Sequence, residues 1–102
     1  MIYIAMNQFQ VNPERAAEFE EHWRKRQSYL DEVPGFLRFA LLRGDEPGVY
    51  ISHSTWASRE AFEAWTRSDA FRKAHGQART PEGILAGPPR LRTFEAVLEQ
   101  ER

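Results

Sequence analysis

Apolar residues recur along the chain at two spacings, one typical of strands and one typical of helices. Residues 2–11, IYIAMNQFQV, are rich in β-branched and aromatic side chains and contain no breaker, which predicts a first strand. Asn12 and Pro13 then predict a helix start, with Asn12 as the N-cap and Pro13 at the first helical position. Helical spacing places the next apolar residues on one side of this segment: Ala16, Phe19, Trp23, Leu30 and Val33. The pattern predicts a single amphipathic helix that ends before Pro34 and Gly35.

Two apolar segments flank the turn-forming sequence GDEPG and predict a β-hairpin. They are residues 36–43 (FLRFALLR) and 49–56 (VYISHSTW). The first segment is apolar on both faces of the expected strand. Strict alternation gives two sets of side chains: Leu37, Phe39 and Leu41 on one face, and Phe36, Ala40 and Leu42 on the other. We therefore expect one face of the sheet to pack on helices and the other on a second subunit.

The second half of the chain predicts two short helices and a last strand. Ser58 is the expected N-cap of the first of these helices. Its apolar side consists of Ala61, Phe62 and Trp65. The other helix is expected to start near Ser68 and to stop at Gly76. Residues 76–90 are rich in glycine and proline and predict a loop, and residues 91–98, LRTFEAVL, predict the last strand.

The resulting order is strand, helix, strand, strand, helix pair, strand. This order predicts an α+β, ferredoxin-like split βαβ fold, a four-stranded antiparallel sheet with its helices on one face. A single domain over residues 1–102 leaves no other domain to cover the open sheet face, so we expect a homodimer formed sheet against sheet. Many functions share this fold, and the fold therefore decides none of them.

Composition excludes several classes of function. The 14 Lys and Arg residues nearly balance the 15 Asp and Glu residues, which argues against binding to nucleic acid or to an anionic membrane. The absence of cysteine removes disulfides, thiolate catalysis and thiolate metal sites, and suits a reducing compartment. The N-terminal sequence MIYIAMNQFQ lacks a basic n-region, and no apolar run approaches the ~20 residues of a membrane span. We therefore expect a cytoplasmic protein.

Asn7 interrupts an apolar strand face. With Tyr3, Ala5 and Phe9 it points to one side of the first strand, where an amide without partners costs about 1 to 3 kcal/mol. One interpretation is a hydrogen bond to a neighbouring side chain or to a trapped water. The other is a donor directed into a ligand pocket.

Trp65 and His75 each allow a structural and a functional interpretation. A tryptophan at helical spacing from Ala61 is typical of a core or an interface. A histidine just before Gly76 can interact with the C-terminal carbonyl groups of its helix. Beside a Gly- and Pro-rich loop, however, its ring is also well placed to be an axial metal ligand.

Other catalytic arrangements find little support in the sequence. His22 and His53 have no His, Asp or Glu at a spacing that predicts a zinc or non-haem iron site. Neither a nucleophile elbow nor a phosphate-binding glycine loop is present in the sequence. An enzyme of this sequence would rely on a bound cofactor or a reactive substrate for its difficult chemistry.

Several segments together resemble one known family. They are the early strand with Asn7, a helix with Phe19 and Arg26, the segment PGFLRFALLR, and the segment TWASREAFEAWTRSDAFRKAH, which contains Trp65 and His75. Over nearly its whole length the chain resembles the IsdG-type haem-degrading monooxygenases, members of the antibiotic biosynthesis monooxygenase superfamily of dimeric ferredoxin-like proteins. The TW-x-S-x-x-AF-x-x-W pattern marks the superfamily. The combination of Asn7, Trp65 and His75 is more specific, because it looks like the family's catalytic trio.

The resemblance implies a role for each of these residues. His75 would be the proximal iron ligand, bound through a neutral imidazole nitrogen. Trp65 would press against the porphyrin and help to force it out of plane. Asn7 would donate its amide N–H to oxygen on the distal side, and Arg26 would contact the haem edge or a propionate.

The implied function is that of a cytoplasmic homodimeric oxygenase with haem as both cofactor and substrate. With O2 and electrons from a separate, unidentified reductase, it would cleave the porphyrin and free the iron. The sequence departs from the family at His22, where some relatives carry an arginine, and in the loop GQARTPEGILAGPP. Two alternatives stay open: a cofactor-free oxygenase of a phenolic or quinol substrate, and a non-enzymatic dimer that binds haem or another small ligand.

Overall fold

The computed structural model describes residues 1–26, 28–77 and 80–102. Its strands and α-helices follow the predicted order. They are β1 (Tyr3–Gln10), α1 (Ala16–Lys25), β2 (Phe36–Arg43), β3 (Val49–Trp56), α2 (Arg59–Thr66), α3 (Asp69–Gln77) and β4 (Arg90–Glu95). The hairpin of β2 and β3 has the predicted bounds, while the last strand ends at Glu95, three residues earlier than expected.

The strands form one sheet in the order β2-β3-β1-β4, with every neighbouring pair antiparallel. The helices cover one face, where Tyr3, Ala5 and Phe9 of β1 are buried. On the opposite face Leu42 and Phe94 remain exposed. The predicted ferredoxin-like fold is therefore confirmed. No helix among the described residues is long and apolar enough to cross a membrane.

The first helix is much shorter than predicted. It ends at Lys25, and Arg26 is already extended, with φ −70° and ψ 132°. Tyr29 then adopts a left-handed conformation with φ 61°, which turns the chain into a short 3-10 segment at Leu30–Glu32. The apolar spacing was continuous because Phe19 and Leu30 both face the core, but they belong to two different clusters. Gln27, within the predicted helix, lies outside the described residues.

The predicted helix caps have different outcomes. Pro13 does occupy the first turn, a 3-10 segment at Pro13–Arg15, but Asn12 makes no capping hydrogen bond. Its side-chain Nδ2 instead donates to the carbonyl of Gly83, at 2.7 Å, and ties the first turn to the late loop. Ser58 is confirmed as an N-cap, because its Oγ accepts from the N–H of Ala61 at 3.1 Å. The third helix extends through Gln77, one residue beyond the predicted stop.

The predicted loop at residues 76–90 is irregular over most of its described part. Its Leu85 forms an isolated antiparallel bridge with Val11. Ala78 and Arg79 of this segment lie outside the described residues.

A β-bulge in β2 changes the predicted distribution of its side chains. The register with β3 shifts between Phe36 and Arg38, which leaves Leu37 without a direct partner and half exposed. Phe36 consequently shares the helix-covered face with Phe39 and packs edge-on against Trp56. Strict alternation, which placed Phe36 on the opposite face from Phe39, was wrong because one extra residue inverts the order.

The core beneath the helices consists of two clusters rather than one. The first contains Tyr3, Ala5, Leu30, Trp56 and Phe62. The second contains Phe9, Val11, Phe19, Tyr50 and Ile84. Asn7 lies between Ala5 and Phe9 on β1, so the row of buried residues on this strand is interrupted where one cluster gives way to the other.

Candidate functional site

A cavity of about 440 Å³ opens between the two core clusters. This volume lies within the range typical of small-ligand pockets. Asn7, Arg26, Trp65 and His75 all line it, although they come from a strand, the end of a helix and two further helices. The structure therefore brings together every site residue predicted from the sequence.

The polar groups of this cavity are unusual. Among the described residues, the buried side-chain atoms without a hydrogen-bond partner are Asn7 Oδ1, Trp23 Nε1, Arg26 Nε and Trp65 Nε1. All of these residues line the cavity. Since an unsatisfied buried polar atom costs about 1 to 3 kcal/mol, their concentration in one place indicates a site built to be completed by a ligand or by water.

Asn7 is held by the sheet. It pairs with Ser52 of β3 and Leu91 of β4, and its side chain shares the predicted face with buried Ala5 and Phe9. No neighbouring side chain satisfies its Oδ1. Of the two partners in the structural interpretation, a neighbouring side chain is therefore not supported for the amide oxygen, and a trapped water stays open.

Trp65 combines core packing with a cavity position. Its ring centroid lies 5.0 Å from that of Trp56 and 6.0 Å from that of Phe62, so it packs against the first core cluster as expected. The same residue lines the cavity, where its indole N–H has no partner. The two interpretations drawn from the sequence are compatible, because the residue that packs on the core also lines the cavity.

Ser68 links the helix of Trp65 to the helix of His75. Its hydroxyl donates to the carbonyl of Trp65 at 2.6 Å, and its Oγ accepts from the N–H of Phe71 at 3.1 Å. One side chain thus closes α2 and caps α3. The rings of Trp65 and His75, which lie on these two linked helices, are 6.1 Å apart between their centroids.

His75 is oriented by its own helix. Its Nδ1 lies 3.0 Å from the carbonyl oxygen of Phe71, and its ring stacks on that of Phe71 with centroids 4.0 Å apart. In the tautomer that donates from Nδ1 to this carbonyl, Nε2 keeps its lone pair, the arrangement found in metal-binding histidines. Burial and, to a smaller extent, the charge of Arg26 lower the pKa of His75 below its usual value, against the opposing effect of the Phe71 carbonyl. The neutral form that a metal requires is therefore favoured.

Arg26 places a cation in this largely apolar cavity. Its guanidinium carbon lies 4.3 Å from the centroid of the Trp23 ring, a cation–π contact. Within the described part of the chain it forms no ion pair, and burial lowers its pKa. A half-buried cation without a carboxylate is a candidate contact for an anionic ligand group.

The nearest cluster of charges is already satisfied. Glu20 accepts from Arg43 twice at 2.8 Å and from the Tyr50 hydroxyl at 2.5 Å, beside a second hollow of about 340 Å³. The hydrogen bonds from Arg43, and to a smaller extent from Tyr50, lower the pKa of Glu20 to about 2. Burial, and to a smaller extent the hydrogen bond to Glu20, raises the pKa of Tyr50. Glu20 is therefore engaged with other partners and does not neutralise Arg26.

Sequence reasoning missed two residues of the site. Phe71 supports His75, and its spacing of four residues along one helix was the available signal. Trp23 was assigned only to the apolar side of the first helix, and nothing in the sequence distinguished its N–H from that of a core tryptophan. His22 is not part of the cavity lining, and His53 lies on the other face of the sheet, paired with Met6 and Ala40.

The chain is similar in sequence and in fold to known proteins. The sequence profile of the antibiotic biosynthesis monooxygenase family matches residues 2–77. The chain belongs to this family. Its early strand, its hairpin and the two helices that carry Trp65 and His75 all fall within the matched region, which confirms the predicted superfamily.

Haem-degrading proteins are similar to this chain over nearly its full length. A mycobilin-producing haem oxygenase from Mycobacterium tuberculosis is 32% identical, with 97% of this chain and 92% of the relative covered. The solved structure of the haem-degrader MhuD from Mycobacterium tuberculosis, with two haems bound in its active site, matches with a TM-score of 0.77 at 29% identity, covering 97% of this chain and 99% of that one. The predicted resemblance to haem-degrading family members is thus confirmed.

The fold also occurs in a protein with a different chemistry. SnoaB from Streptomyces nogalater, a cofactor-independent oxygenase, matches with a TM-score of 0.73 at 23% identity, covering 99% of this chain and 98% of that one. This similarity concerns the fold alone. The same fold therefore occurs in both kinds of oxygenase, and the residues of the cavity must distinguish them.

The residues present fit a haem group. The cavity lining offers an imidazole, aromatic walls, an amide whose oxygen has no partner, and a guanidinium without a carboxylate among the described residues. The imidazole suits iron ligation, and the aromatic walls suit contact with a flat macrocycle. The amide suits hydrogen bonding near the iron, and the guanidinium suits pairing with a carboxylate. A cofactor-independent oxygenase has no evident need for the imidazole.

Proposed function

We propose that this protein is a haem-degrading monooxygenase that binds haem through an axial histidine and cleaves the porphyrin with O2 and external electrons, releasing iron. The observation that carries the proposal is the cavity itself, whose lining contains both His75 and the residues with unpartnered polar atoms. The similarity to haem-degrading family members over nearly the whole chain supports it.

Each residue has one part in this proposal. His75 ligates the iron through Nε2, with Phe71 fixing its ring. Trp65 would press against the porphyrin and help to force it out of plane, and its packing on Trp56 of the first core cluster allows it to resist displacement. Asn7 presents its amide on the distal side, and Arg26 binds the haem edge or a propionate. When bound, haem supplies the iron that activates oxygen and the porphyrin that is oxidised.

The proposal also includes a source of electrons and a cellular compartment. The chain contains no cysteine, so it offers no thiol as a redox group, and a separate reductase supplies the electrons. The same absence of cysteine suits the reducing cytoplasm, where we place the protein.

We further propose a homodimer that covers the outer face of the sheet. Leu42 and Phe94 are both substantially exposed there, and they share that face with Ile4 and Ile51 through direct strand pairing. Sedimentation equilibrium is expected to give the mass of two chains for the wild type and of one chain for the double variant Leu42→Glu, Phe94→Glu. A monomeric wild type would contradict the proposed dimer.

Haemin titration of the purified protein tests the function. We expect a saturable shift of the Soret band, and, after ascorbate or a reductase system is added in air, decay of that band with release of iron and growth of a bilin-like absorbance. Haemin in buffer without protein, treated in the same way, is the control for uncatalysed bleaching. Tight binding without turnover under either reductant would instead indicate a haem carrier.

The absence of a specific Soret shift would refute haem as the ligand. In that case the cofactor-free oxygenase is the stronger candidate, since the family fold also occurs in SnoaB. The two candidates differ in their need for His75, because a substrate that reduces oxygen by itself requires no axial ligand.

A further inference from the structure

Aromatic and cationic side chains contact Trp23 from several sides. The Arg26 guanidinium lies over its ring at 4.3 Å, and the Phe39 ring stacks on it at 5.7 Å between centroids, with only 11° between the planes. Phe9 meets the same ring edge-on at 5.8 Å. These contacts hold the indole in one orientation at the wall shared by the cavity and the neighbouring hollow.

The indole N–H of Trp23 has no structural partner. Nε1 is buried and unpaired, whereas the N–H of the core residue Trp56 donates to Ser54 Oγ at 2.9 Å. A phenylalanine at position 23 could provide a similar stacking surface for Arg26 and Phe39 without burying an unsatisfied donor. The packing therefore accounts for an aromatic ring at this position, but not for a tryptophan.

Arg26 provides a second donor next to the first. Its Nε is also buried and unpaired, and its charge is not balanced by any described carboxylate, since Glu20 is occupied by Arg43 and Tyr50. Two adjacent N–H donors, one of them cationic, match the two oxygens of a carboxylate.

We infer that Trp23 is a specificity-determining residue, whose N–H, together with the Arg26 guanidinium, receives a carboxylate of the bound ligand. The inference rests on the proposed function for the identity of that ligand, a porphyrin bearing propionates. Arg26 supplies the charge, and Trp23 both fixes the plane of the guanidinium and adds a directional hydrogen bond. The pair discriminates between a free acid and its neutral ester.

Equilibrium binding of ferric haemin and of haemin dimethyl ester, without reductant, tests the inference independently of turnover. Trp23→Phe is expected to weaken haemin binding about 10-fold and to leave binding of the ester within about twofold of the wild type. Arg26→Gln is a second variant and should show a larger loss, again confined to the free acid. Arg24→Gln on the same helix is the control, because Arg24 is exposed and pairs with Glu20 and Glu21 outside the cavity.

The outcomes separate this inference from the proposed function. Equal losses for haemin and its ester in Trp23→Phe, or no loss for either, would overturn the role of the N–H while leaving haem binding intact. Failure of the wild type to bind haemin would overturn the proposed function and this inference with it. Near-ultraviolet circular dichroism verifies that each variant is folded.

Discussion

Replacing His75 with alanine is expected to remove the iron–imidazole bond and with it the Soret band characteristic of the complex. Haemin affinity should fall by about 100-fold, because the axial bond is the strongest single contact the cavity can offer. Ring opening should be lost as well. The measurement is a haemin titration monitored by visible absorption spectroscopy, with electron paramagnetic resonance of the ferric complex as a second readout.

Two comparisons identify the cause of this loss. Added imidazole should restore the spectrum of the His75→Ala complex by occupying the vacated ligand position. Lys73→Ala, an exposed position on the same helix, should behave as the wild type. If His75 only stabilises its helix through Phe71, the variant will have a lower melting temperature and an unchanged haem spectrum, a result that rejects ligation.

The second large effect is expected from Asn7→Ala, which should bind haemin as well as the wild type but degrade it about 100-fold more slowly. A preorganised hydrogen-bond donor near reacting oxygen contributes to the rate far more than to ground-state binding. The measurement is single-turnover decay of the Soret band under saturating reductant. Wild-type turnover in this variant would exclude the distal role.

Stability provides an independent check on Asn7. Its Oδ1 is buried without a partner, so removing the amide should not lower the melting temperature of the ligand-free protein and is expected to raise it slightly. Gln10→Ala, at the exposed end of the same strand, is the matched control for loss of an amide side chain. A marked loss of stability in Asn7→Ala alone would indicate a structural role for the amide.

The helix that carries Phe19 illustrates where sequence patterns mislead. A continuous apolar spacing predicted one helix up to Pro34, yet the chain turns after Lys25 so that Leu30 can reach a different core cluster. Periodicity records that residues face the interior but not which part of the interior they meet. The bulge at Leu37 is a similar case, since one unpaired residue inverts strict alternation without any signal in the composition of β2.

The candidate site was predictable to a different degree for each residue. Asn7 was recognised because an amide in an apolar strand row is costly wherever the strand lies, and His75 because it ends a helix beside a loop. Trp23 could not be singled out. Its spacing is that of a core residue, and the missing partner of its N–H is visible only once the surrounding atoms are in place.

By itself, the sequence determined the element order and the ferredoxin-like fold, because short-range periodicity is a property of the chain, and its motifs carried the resemblance to the family. Only the tertiary structure decided that the core divides into two clusters and that four residues with unpartnered buried atoms line the cavity between them: Asn7, Trp23, Arg26 and Trp65. Whether a buried polar group is satisfied depends on neighbours distant in sequence, and those neighbours are brought together only by folding.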